Sequence, residues 1–212
     1  MRLFHPTRRY DQIDWNSFPE VVGEFKKQVY AWYVTPARVL LRRSGHSSFA
    51  SLSLTCTLID TLSQFYYGHT RSTKTLFIRY CRRNIPELKK RFAVEIPFKK
   101  NEKIAFLRDG AAVLYYGIRC GVMHEAHPAL YSAISGTGVI LTYHETGLAE
   151  FTKNGRHFHP CPAVVFDPGP LLEKVVVILR DYLSSLVDTD PANEALRRRF
   201  KVKLADSYGK RV

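Results

Sequence analysis

The chain has 212 residues and carries 32 lysines and arginines against 19 aspartates and glutamates, a formal net charge of +13 with a pI near 9.7. Its 45% hydrophobic and 13% aromatic content is enough to fill a core, which excludes an intrinsically disordered chain. The charge favours polyanions: nucleic acid, an anionic membrane face or an acidic protein. Four dispersed cysteines, Cys56, Cys81, Cys120 and Cys161, contain no C-x-x-C pair and point to a reducing compartment. The first residues are polar rather than an apolar leader, and Val175–Leu179 is cut off by Arg180 and Asp181. The expectation is a cytoplasmic protein with no membrane partner and a single domain over 1–212.

Helical patterns dominate the first two-thirds. Asn16 and Ser17 are capping residues before Pro19, and Val22, Phe25, Val29 and Trp32 follow at helical spacing. Pro36 kinks or restarts this helix, which runs to about Arg43. A second helix is predicted from Ser47 to about Tyr67 with Gly68 as its stop, and a third from Ser72 to Asn84. Pro86 opens a short fourth that ends before Pro97. The fifth is predicted from roughly Glu102 to Ala126, with Ile104, Leu107, Ala111, Leu114, Tyr115, Ile118 and Val122 as its core stripe.

The period then changes. Val139–Tyr143, Leu148–Phe151 and Cys161–Phe166 read as a three-stranded antiparallel insert over about 138–166, with Gly147 and Asn154-Gly155 as turn signals. Asp167-Pro168 caps a long helix to Val187, and a basic helix or tail follows over about 190–212. The fold class is therefore mainly α, a helical bundle with a small β insert before its final long helix.

Of the eight histidines, His124 alone has an arginine five to seven residues upstream, Arg119, in an R-x4-H pattern late in the fifth helix. An all-helical bundle with that motif resembles the HEPN family. The resemblance implies a metal-independent ribonuclease needing no cofactor, acting as a homodimer, often as a toxin or in antiphage defence. A protein antitoxin or regulator is a further implied partner. Histidine can serve as base or acid near neutral pH, and arginine's fork can hold two phosphate oxygens. Five residues at about 100° each separate the two by about 140° around an ideal α-helix. Helix deformation, or a second chain, is needed to aim both at one phosphate. Gly117 and Gly121 allow either. Cys120 stands where active members often carry a polar residue. The plain alternative is that Arg119 and His124 are helix-end cations near the carbonyl terminus.

Basic residues gather in Arg71, Lys74, Arg79, Arg82, Arg83, Lys89, Lys90 and Arg91, opposed within that stretch by Glu87 alone. With Tyr66, Tyr67 and Tyr80 nearby in sequence, this region is expected to track an RNA backbone and stack its bases. His157, His159 and Cys161 alternate and, with His144, form a possible zinc set, although Pro160 and Pro162 interrupt the strand and solvated or stacking histidines are the simpler reading. The other functional class consistent with these features is a non-catalytic helical dimerisation module that binds nucleic acid or an acidic partner protein.

Overall fold

The computed structural model describes residues 3–43, 47–99, 102–120, 132–134, 136–144 and 163–209, and these are mainly helical. The chain divides into two compact units, one made of Met1–Tyr80 with Leu172–Val212 and the other of Cys81–Leu171.

In the first unit, a short hairpin of β1 (Leu3–His5) and β2 (Arg8–Arg9) precedes α1 (Phe18–Val29). The helix then widens into a π-helical segment, Tyr30–Val34, and continues as α2 (Thr35–Leu41). Pro36 explains the widening: its ring would crowd the carbonyl of Trp32 in an α-helix, and a π turn relieves that clash. α3 (Ser47–Tyr67) ends where predicted. Gly68 takes a φ of 68°, and the His69 amide donates to the Gln64 carbonyl at 3.0 Å, the closing bond of a Schellman cap. α4 (Lys74–Asn84) starts after Thr73, whose hydroxyl oxygen accepts from the Leu76 amide at 3.2 Å. Two late helices, α6 (Pro168–Val187) and α7 (Glu194–Tyr208), complete the unit, which holds α6 from Leu172 onward.

Its centre is aromatic. Phe25, Phe65 and Phe200 pack with ring centroids 4.5 to 5.3 Å apart, drawing one ring each from α1, α3 and α7. The β1–β2 hairpin is fastened by polar contacts. His5 Nε2 lies 2.6 Å from the Glu24 carboxylate, Gln28 donates to the Phe4 carbonyl at 2.7 Å, and the Tyr208 hydroxyl donates to Gln28 at 2.7 Å. On the surface, Arg38 of α2 grips Glu173 of α6 through two bonds of 2.8 and 2.7 Å.

The second unit departs from the sequence reading. Pro86–Lys89 is a single 3-10 turn rather than a helix, and Arg91–Lys99 follows as β3. Glu102–Asp109, expected as the first two turns of the fifth helix, is β4, paired antiparallel with β3. Phe92, Val94, Ile96 and Phe98 alternate at the period of a strand, and that period prevails over the helical spacing of Ile104 and Leu107. Helical structure begins only at α5 (Gly110–Val113) and becomes a π-helical segment over Leu114–Cys120.

The insert's described strands are β5 (Ser132–Ile134), β6 (Leu141–His144) and β7 (Ala163–Phe166). β7 is central and buried at all four residues; it pairs directly with β6, antiparallel, and with β5, parallel, so the described sheet is mixed rather than the expected antiparallel meander. The expected strand Leu148–Phe151 lies outside the described residues. Asp167 caps α6, accepting from the Gly169 amide at 2.9 Å and from the Gly138 amide at 2.8 Å.

Candidate nucleic-acid interface

The root of the β3–β4 hairpin gathers cations. Register sets Arg91 opposite Asp109 and Phe92 opposite Arg108, while the Gly110 amide donates to the Lys90 carbonyl at 2.9 Å and closes the ladder. Lys89, Lys90 and Arg91 are all exposed there. Asp109 is the local anion. It is 8% exposed, caps α5 by accepting from the Ala112 amide at 2.9 Å, and takes the Arg82 Nε–H at 2.6 Å. Arg82, among the expected phosphate-binding cations, is thus engaged by an acid 27 residues away in sequence.

Aromatic rings are interleaved with these charges. The Arg108 guanidinium sits 4.3 Å from the Tyr116 ring centroid, Lys90 Nζ 5.7 Å from that of Phe92, and the Arg119 guanidinium 5.4 Å from that of Tyr115. Tyr115 and Tyr116 meet edge to face at 5.3 Å, and Phe92 packs on Tyr143 at 5.3 Å. Arg108, Tyr115, Tyr116 and Arg119 are each half-buried, so part of each remains open to solvent.

The expected residues divide between the two units. Arg71, Lys74 and Arg79 belong to the first, and Arg82, Arg83, Lys89, Lys90, Arg91 and Arg119 to the second. Arg71, Lys74, Arg79 and Arg83 are exposed, and Arg79 lies 5.1 Å from the Tyr67 ring centroid. Along α4, Arg79, Arg82 and Arg83 occupy the exposed face, and Phe77, Tyr80 and Cys81 the buried one. Tyr80 is 1% exposed, which removes it as a base-stacking ring; Tyr66 and Tyr67 are half-buried. His124, Gly121, His157, His159 and Cys161 lie outside the described residues. Among the described residues, no group of three or more metal-ligating side chains comes together, and no helix is long and apolar enough to cross a membrane.

No family model, curated protein or solved structure matches this chain. The functional reading therefore rests on its own residues. Three of these, Arg108, Tyr115 and Tyr116, do not follow from charge runs, because each arginine in this part of the chain stands apart from the others. A signal for Asp109 was present: an Asp-Gly pair directly before the apolar run of Ala111–Leu114 is a helix start.

Proposed function

We propose that this chain is an HEPN-like RNA-binding protein that acts as a metal-independent endoribonuclease of a toxin or antiphage-defence system. It works as a homodimer joined through the segment that carries Arg119 and His124. Arg119 clamps the scissile phosphate. His124 takes the proton of a ribose 2′-hydroxyl as that oxygen bonds to phosphorus; the bond to the 5′-oxygen breaks, and a histidine of the other copy protonates that leaving oxygen. The exposed cations of the second unit, Arg83, Lys89, Lys90 and Arg91, hold the RNA backbone.

The observation that carries this reading is the π winding of Leu114–Cys120, which includes Arg119. A π turn closes its hydrogen bond between residues five apart. R-x4-H is that same spacing, and Arg119 lies within the π-wound segment while His124 lies outside the described residues. An α-helix would hold them about 140° apart. The interleaved cations and rings of the second unit lend further support, since they match what an unpaired, stacked strand requires.

The test is incubation of labelled RNA in EDTA with the wild type, Arg119→Ala and His124→Ala. Cleavage that survives chelation and is lost in both variants supports the reading; equal cleavage by all three discards it. Cys120, apolar where a polar neighbour is expected, favours a second reading as a non-catalytic module that binds nucleic acid or an acidic protein. Its signature is RNA binding without cleavage, weakening steeply with salt.

A further inference from the structure

A groove between α1 and α6 is lined by none of the residues assigned to RNA. α1 lines it with Pro19, Val22, Gly23 and Lys26, and α6 with Arg180, Leu183, Ser184 and Val187. Both sets follow the i, i+3, i+4, i+7 spacing of one helical face over two turns. The groove has a volume of about 210 Å³. Val22 and Leu183, 3% and 6% exposed, form an apolar floor, and Val187 is 50% exposed beside them. A Cβ placed on Gly23 would meet nothing within 4 Å, so an incoming side chain has room there.

Two parallel stripes of this kind complement a third helix whose own apolar residues recur at i, i+3, i+4 and i+7. Charge selects its polar flanks. Lys26 and Arg180 are exposed, Arg180 Nε lies 3.5 Å from the neighbouring Asp181 carboxylate, and no acidic side chain lines the groove itself. A second copy of this chain is a poor occupant, because it would bring another +13 against those cations. We propose that the groove docks an acidic amphipathic helix of a partner protein, with an aliphatic side chain seated over Gly23 and carboxylates against Lys26 and Arg180. The inference goes beyond the RNA reading and stands whether or not the chain cleaves RNA.

The test uses the full chain and a fluorescein-labelled peptide of about four helical turns, with leucine at the apolar positions and glutamate at the polar ones. A lysine-for-glutamate version and a scrambled glutamate version serve as comparisons. Gly23→Leu fills the groove from its floor and improves helix propensity, so it leaves the helix intact. Anisotropy is expected to show the glutamate peptide binding, with a loss of about tenfold or more in Gly23→Leu, equivalent to about 1.4 kcal/mol. The exposed-site variant Lys26→Glu/Arg180→Glu is expected to prefer the lysine peptide. Four results each overturn the proposal: no binding of the glutamate peptide; equal binding to Gly23→Leu; equal binding of the scrambled peptide; or a wild-type dimer that Gly23→Leu dissociates, which would make the occupant a second copy.

Discussion

Arg82 donates its Nε–H to the Asp109 carboxylate at 2.6 Å, and the same carboxylate caps the helix that leads to Arg119. A cation of α4 and the start of the segment carrying the candidate catalytic arginine therefore share one buried anion. Asp109→Ala removes both contacts and is expected to lower stability by about 1–2 kcal/mol through loss of the cap. Asp109→Asn keeps an oxygen for Ala112 and should lose less. Urea midpoints of the two variants check the order.

Because Arg82 is paired with Asp109, it should contribute less to RNA binding than Lys89, Lys90 or Arg91. Lys89→Gln, Lys90→Gln and Arg91→Gln are each expected to reduce the slope of log K against log salt by about 0.7, the value for one single-strand phosphate contact. Arg82→Gln should reduce it by clearly less. A salt titration of binding for the four variants decides this, and an equal effect of Arg82→Gln would refute the pairing argument.

Acid should weaken the first unit. Burial pushes the Glu24 carboxyl up, but the hydrogen bonds and charges of Lys27 and His5 outweigh it and hold the group below its ordinary value of 4.5. The Arg38 guanidinium holds Glu173 low in the same way. Both groups are depressed in the folded state, so their stabilisation is complete above the unfolded pKa and is lost as pH falls through the folded one. Glu24→Gln is expected to cost about 1.5–3 kcal/mol at pH 7, the range for a hydrogen bond to a charged group. It should also flatten the fall in urea midpoint below pH 4.5. Glu173, more exposed, should show the same sign with a smaller amplitude.

Gly110 sits where two segments of the second unit close on the hairpin. A Cβ there would stand 2.8 Å from Leu141 Cδ2, and 3.2 and 3.3 Å from the Leu88 Cα and carbonyl oxygen. Gly110→Ala is expected to destabilise by about 1–3 kcal/mol through overpacking. Adding Leu141→Ala should restore only part, since the Leu88 backbone cannot yield as a side-chain tip can. Thermal melts of the single and double variants measure that remainder.

Local signals predicted local structure well. The Gly68 stop, the Asn84 end of α4 and the Asp167 cap of α6 are set by residues within a turn of the boundary, so the chain shows them without its partners. The β3–β4 hairpin was misread because Pro97 looked like a helix terminator and Ile104, Leu107 and Ala111 share a helical spacing. What decides that stretch is the pairing of Arg91 with Asp109 and the seven further pairs beyond it, a non-local choice. The parallel placement of β5 beside β7 is of the same kind. At the candidate interface, the run of basic residues was legible, whereas the Arg82–Asp109 pair and the Arg108–Tyr116 stack depend on that hairpin and were not.

The Phe25–Phe65–Phe200 packing also bears on how the protein is made. Two of the rings leave the ribosome early, and the third follows only after the whole Cys81–Leu171 unit has been synthesised. At about 5–20 residues per second, that interval lasts on the order of ten seconds. Throughout it, the Phe25 and Phe65 rings lack the Phe200 ring that packs against both in the folded chain. Closure of the three-ring core therefore waits on α7.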